Sequence, residues 1–350
     1  MTSPAIQPVR SITWLTGCLV LLSVACSSPP LPIAELTGST MGTGYSVKLS
    51  PPPDQQTLAR LQQAIDQRLL AINAMMSTYL DDSDLMRFNR SRSTDWQPAP
   101  IEIIALVRRA QAISTATDGY YDITAGPLVN LWGFGNTEPR QSPPPNSEIS
   151  ATLQRVGHEK LLWREDPPSL RKLHPGVEID LSSIAKGWAV DELGKLVEQQ
   201  AVDSYLIDIG GETLARGQKA NGDSWRIAVE RPSQGKRSVQ GSLLANNLAI
   251  ATSGGYRNFF AFNNQRYSHT INPKTGQTVR HRLASVTVVA KDTADADAWA
   301  TALLARGESD GPALAEELDM AALFIVGDGD NFREVATSAL SALEVWQSRY

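Results

Sequence analysis

The sequence predicts an α+β domain built mainly on antiparallel sheet, with helices packed against it. Two observations carry that reading. Helical spacing is concentrated early in the chain, and strand-like runs separated by turn residues dominate its later part. No steady alternation of strand and helix connects the two, as a parallel sheet would require. In order, residues 41–49 read as a strand. Residues 55–77 read as a long amphipathic helix, with Leu58, Leu61, Ile65, Leu69 and Ile72 at helical spacing. Residues 101–117 form a second helix, closed by Asp118-Gly119, where glycine accepts a left-handed backbone. Residues 146–156 form a shorter one. Residues 177–181 read as a strand running into a helix over 183–200, and 205–209, 225–229, 241–251, 265–270 and 283–290 as further strands. Turns such as Asn221-Gly222 and Lys274-Thr275-Gly276 separate them. Residues 297–306 and 310–318 are helical, and 321–326 is a late strand.

The first 25 residues are read as a leader outside the fold. Arg10 is the only charge there, and the apolar run over 12–24 has the length of a signal-peptide core, too short to span a bilayer comfortably. Leu22-Ser23-Val24-Ala25-Cys26 resembles a bacterial lipobox. It departs from the usual pattern in placing Leu four residues before the cysteine rather than three. The chain has only two cysteines, Cys18 in the leader and Cys26 at its end, so an internal disulfide in the mature protein is excluded. Lipidation of Cys26 follows as the expectation, with an ordinary signal peptide and a stray cysteine as the alternative. Residues 26–34, rich in Ser and Pro, read as a tether, and 35–346 as one domain. The expected location is that of a lipoprotein anchored in the inner membrane and facing the periplasm.

Composition narrows the function. With 42% hydrophobic residues the chain can bury a large core, and its formal net charge of −5 argues against nucleic acid as a partner. Removing the leader takes away Arg10 and no acid, which makes the balance more acidic.

Five stretches bear on chemistry, and each has an ordinary reading beside the functional one. Thr293-Ala294-Asp295-Ala296-Asp297 reads as the first turn of a helix, capped by Thr293 or Asp295. Asp297 and Thr301, four apart, share one helix face and offer two oxygen ligands to a hard cation such as Mg2+; solvated acids and a packed threonine explain them too. Asp180-Leu181-Ser182-Ser183 leads into a helix start whose free N–H groups favour an anion, or is a plain cap followed by an ordinary Lys186. His269, one of four histidines, closes a strand before a tight turn and is suited to accept a proton, or to pack. Met75, Met76 and Tyr79 either fill a core or sandwich a flat heterocycle. The run from Thr117 to Gly135, through Tyr120-Tyr121-Asp122, sets glycines among aromatics in a backbone shaped for a planar ligand or for loop packing.

Together and in this order these stretches resemble the ApbE family of flavin transferases. The resemblance runs from Gly38-Ser39-Thr40-Met41-Gly42-Thr43 to about Val326 and includes Ser253-Gly254-Gly255-Tyr256-Arg257-Asn258-Phe259. It implies a T-fold-like α+β fold and an enzyme that cleaves FAD, attaches FMN to a threonine hydroxyl of a membrane redox-pump subunit, and releases AMP. It further implies Mg2+ held by Asp297, Thr301 and the Ser183 carbonyl. Met41, Tyr79, Tyr120, Tyr121, Asp122, Asp180, Lys186 and Ile271 would line the FAD site, and His269 would deprotonate the acceptor threonine. Two other readings stay open: a periplasmic FAD carrier, and a pyrophosphatase that splits FAD to FMN and AMP.

Overall fold

In this computed structural model, which describes residues 1–2, 33–233, 237–328 and 331–349, alternate residues of the central strands face opposite ways, and both faces are covered. Leu214, Ala249, Val286, Val288 and Phe324 point toward helices. Their neighbours Ala215, Ile250, Val289, Leu323 and Ile325 point toward a second, small sheet carrying Trp225 and Leu243. That double burial explains why Leu283–Ala290 reads as an almost continuous apolar run rather than a strict alternation.

The central sheet has eight strands, in the order Ala34–Thr40, Thr43–Leu49, Tyr205–Ile209, Glu212–Arg216, Leu248–Gly254, Leu283–Ala290, Ala321–Asp328 and Asn331–Ala336. Every neighbouring pair is antiparallel. One face is covered by the helices Gln55–Met76, Ala185–Glu198 and Thr293–Glu317. Gln55–Met76 begins where the Asp54 carboxylate accepts from the Thr57 N–H, and it buries Leu61, Ile65, Leu69 and Ile72. Thr293–Glu317 continues across a kink at Gly307, whose φ of 86° lies outside the helical region. No helix among the described residues is long and apolar enough to cross a membrane.

Several sequence expectations need correction. Residues 177–181 form no strand and pair with none among the described residues. The Asn89 side chain takes that place, accepting from the Ile179 N–H at 2.7 Å and donating to the Ile179 carbonyl at 2.8 Å. Residues 241–251 are two strands, Val239–Ala245 and Leu248–Gly254, which belong to different sheets; the chain changes sheet at Asn246-Asn247, with Asn247 at a φ of 57°. The strand read over 41–49 starts at Thr43, because Met41 and Gly42 form the turn from a preceding strand, Ala34–Thr40. The cap of the Thr293–Glu317 helix is Asp292, which accepts from the Asp295 N–H, rather than Thr293 or Asp295. Met75 and Met76 are buried in the core. The leader, Cys18 and Cys26 lie outside the described residues.

Candidate active site

Two helices meet end to side at the site. Asp297, in the second turn of Thr293–Glu317, is 3% exposed and points at the start of Ala185–Glu198. Its Oδ2 accepts from the Gly187 N–H at 3.0 Å, one of the donors that a helix start leaves without an internal partner. The approach is close enough that a Cβ on Gly187 would lie 2.2 Å from the Thr293 carbonyl oxygen. Asp191, further along the same helix, accepts from the Thr293 and Ala294 N–H groups at 2.8 and 2.9 Å. Two carboxylates thus tie the helices together, each meeting the positive end of the other element.

Lys186 lies between two acids, with Nζ 2.6 Å from Glu212 Oε1 and 3.8 Å from Asp297 Oδ1. Burial pulls the ammonium down, but Asp297 and Glu212 outweigh it and hold Lys186 above its ordinary value. Burial pushes both carboxyls up, against the pull of Lys186. One ammonium serves two buried carboxyls, so the cluster carries an excess of negative charge when both are ionised, and Glu212 Oε2 has no hydrogen-bond partner among the described residues. Thr301, one turn beyond Asp297, shares a hydrogen bond of 3.0 Å with the Ser253 hydroxyl; when Thr301 donates, its lone pairs stay available. These are hard oxygen donors beside uncompensated charge, which suits Mg2+. Among the described residues no three His, Cys, Asp or Glu side chains gather as a metal cluster. A cation here would therefore need hydroxyl, carbonyl and substrate oxygens as well.

The cavity over this cluster has a volume of about 550 Å³, within the usual range for a small-molecule site. Tyr121 is buried in its wall and accepts from the Ser183 hydroxyl at 3.0 Å. Asp122 accepts from the backbone N–H and the hydroxyl of Thr124, both at 2.7 Å, and burial raises its carboxyl. Asp180 caps the turn at Ser182, accepting its N–H at 2.9 Å. The opposite wall carries His269. Its Nδ1 lies 3.2 Å from the Asn258 carbonyl oxygen. A carbonyl only accepts, so Nδ1 carries the proton and Nε2 keeps a free lone pair. Burial, then the positive Lys186, lowers the imidazole below its ordinary value, which keeps it neutral near pH 7.

Of the residues that the family resemblance assigned to catalysis, FAD and metal, all but Met41 line this one cavity: His269, Tyr79, Tyr120, Tyr121, Asp122, Asp180, Lys186, Ile271, Ser183, Asp297 and Thr301. Met41 is not part of its wall; it sits in the hairpin turn at a φ of 49° and packs against the main core. Tyr79 stands at the rim, 68% exposed. Sequence reading missed Glu212, Asn89 and Ser253. The signal for Glu212 was an acid directly after Gly210-Gly211 at a strand end, where both glycines take positive φ. Asn89 gave no signal, since its role is to pair backbone distant in sequence.

Comparison with known proteins places this arrangement. Residues 41–324 match the model of the ApbE family. The FAD:protein FMN transferase of Vibrio cholerae is 40% identical over 326 residues, covering 93% of this chain and 97% of that one. That of Salmonella typhimurium is 37% identical, covering 91% of each. Among solved structures, the flavin transferase ApbE of Vibrio cholerae superposes with a TM-score of 0.81 at 38% identity, covering 89% of this chain and 99% of that one. The apo flavinyl transferase ApbE of Pseudomonas stutzeri gives 0.80 at 36% identity, covering 89% and 96%. The α+β architecture with its antiparallel sheet and packed helices is that of these structures. The chain belongs to the ApbE family.

Proposed function

We propose that the chain is an FAD:protein FMN transferase that uses Mg2+, takes a threonine hydroxyl of an acceptor protein as nucleophile, and releases AMP. The observation that supports this most directly is the pairing of a neutral histidine, Nε2 free, with the buried Asp297 carboxylate and the half-buried Thr301 hydroxyl in the wall of one cavity. A bond forms between the threonine oxygen and the FMN phosphorus, and the bond from that phosphorus to the bridging oxygen breaks. The threonine proton passes to His269 Nε2, and AMP leaves with the bridging oxygen. Asp297, Thr301 and the Ser183 carbonyl would hold Mg2+, which neutralises pyrophosphate charge. Lys186 brings a further positive charge to the same wall, steadied by Glu212. Tyr120, Tyr121, Asp122 and Ile271 give the cavity the mixture of flat apolar surface and polar edge that a flavin or adenine requires.

The anchor belongs to the same proposal. A lipid on Cys26 would hold the domain at the periplasmic face of the inner membrane, where a redox-pump subunit presents its threonine. The test mixes the protein lacking residues 1–26 with FAD, Mg2+ and the threonine-bearing soluble domain of such a subunit, and weighs the acceptor intact. A Mg2+-dependent gain of FMN that disappears with Asp297→Ala supports the proposal. Free FMN and AMP without an adduct make the chain a pyrophosphatase, and bound, unchanged FAD makes it a carrier.

A further inference from the structure

Next to His269 stands a two-stranded hairpin, Phe259–Phe262 with Gln265–Ser268, turning through Asn263 and Asn264 at positive φ. Its register places Asn258 opposite His269, and the Asn258 carbonyl accepts from both the backbone N–H and the Nδ1 of His269. In an antiparallel pair, hydrogen-bonded and non-hydrogen-bonded positions alternate. With Asn258 and His269 bonded, Phe260 and Tyr267 are bonded too, so the backbone groups of Phe259 and Ala261 point outward.

The two edges of the hairpin differ. Along the Gln265–Ser268 strand the Ser268 end is covered, packing against Gly255, and the Arg266 side chain donates to the Gly255 carbonyl at 2.7 Å, whereas Gln265 and Arg266 themselves are exposed. The Phe259–Phe262 edge pairs with no other described strand, and Ala261 and Phe262 are exposed there. Solvent-facing edges are ordinarily blunted by charge or proline, and Phe259-Phe260-Ala261-Phe262 contains neither. The inner face of the hairpin is fixed, with Phe260 stacked on Tyr267 at 5.1 Å and on Phe134 at 5.7 Å. Around it Arg266 lies over the Phe259 ring at 3.7 Å and Arg280 over Tyr267 at 5.2 Å. Neither arginine meets a carboxylate among the described residues.

We propose that the Phe259–Phe262 edge receives an extended, acidic segment of the acceptor protein as a third strand, which delivers its hydroxyl to His269. The inference rests on the transferase reading. Strand addition uses main-chain hydrogen bonds for affinity, and the two arginines select for acid. It gives the enzyme a hold on the acceptor that is independent of FAD.

Ala261→Pro tests it, because proline at this position removes only an outward N–H and leaves the hairpin bonds in place. At saturating FAD the expected result is a KM for the acceptor domain raised about tenfold, with FAD binding and melting temperature unchanged. An unchanged KM overturns the inference. A second measurement uses Asp297→Ala protein, in which transfer is expected to be lost, and follows amide exchange by NMR as the acceptor domain is added. Slowed exchange at Phe259 and Ala261 supports strand addition, and unchanged exchange at both overturns it. Absence of any transfer by the unmodified protein defeats the transferase reading instead, and the exchange measurement still decides the docking edge.

Discussion

The close approach of the two helices at Gly187 gives the sharpest test of how the site is built. In an exposed helix, replacing glycine by alanine gains about 1 kcal/mol. Here the new Cβ would lie 2.2 Å from the Thr293 carbonyl oxygen, a backbone atom that cannot rotate aside. Carbon–oxygen contacts run at about 3.3 Å, so the helices must part locally by roughly 1 Å. Overpacking of that kind costs about 1–3 kcal/mol, which against the propensity gain leaves Gly187→Ala destabilised by up to about 2 kcal/mol. At about 2–4 °C per kcal/mol the melting temperature should fall by several degrees. The same parting stretches the bond from the Gly187 N–H to Asp297, now 3.0 Å. Displacing Asp297 by about 1 Å should lower transfer by about 100-fold, far more than the loss of stability accounts for. Calorimetry and the initial rate of FMN transfer at saturating FAD read the two effects. A melting temperature that rises, as helix propensity alone requires, together with an unchanged rate, would refute the reasoning.

Replacing His269 by alanine should lower transfer by about 10²–10⁴-fold while FAD binding, read by flavin fluorescence, stays nearly intact. Because burial lowers this imidazole, the fall in rate on the acid side should lie below the ordinary value of about 6.5, and it should vanish from the residual activity of His269→Ala. Asp191→Asn turns an NH₂ toward one of the two backbone N–H groups that the carboxylate now satisfies; a loss of about 1–3 kcal/mol and a higher Mg2+ requirement for transfer are expected, read by melting temperature and Mg2+ titration. Lys172 donates to the carbonyls of Asn89 and Ser91, and burial lowers its ammonium to about 8. The folded chain therefore releases this proton before the unfolded chain does, and stability from this group rises between about pH 8 and about pH 10.4. Urea midpoints measured across that window should climb less steeply in Lys172→Met, whatever its absolute stability.

Features written locally were legible in the sequence. The Gln55–Met76 helix shows its apolar spacing, and Asp297 and Thr301 reveal their shared face through a separation of four. Features that depend on distant backbone were not. Residues 177–181 look like a strand because Val177, Ile179 and Leu181 alternate with acids, and nothing nearby announces that Asn89 replaces a neighbouring strand. Nor does the pattern over 241–251 show a change of sheet, since both halves are apolar and strand-like and only Asn246-Asn247, the second left-handed, separates them. Met41 differs for another reason: its motif matches the family, but a turn packs its side chain against the core, outside the cavity wall. Glu212 matters through Lys186, a partner 26 positions earlier, and spacing over that distance carries no rule.

The pairing of Thr43–Leu49 with Tyr205–Ile209 has a consequence for how the chain is made. Tyr45 lies opposite Ile209, so the second strand waits for most of an intervening polypeptide to emerge before its inner edge is satisfied. Contacts of such separation are slow to form because loop closure must come first. A nascent chain released before residue 209 would hold an unpaired hairpin and a helix with nothing to cover. Until then the sheet stays open and the chain stays threadable.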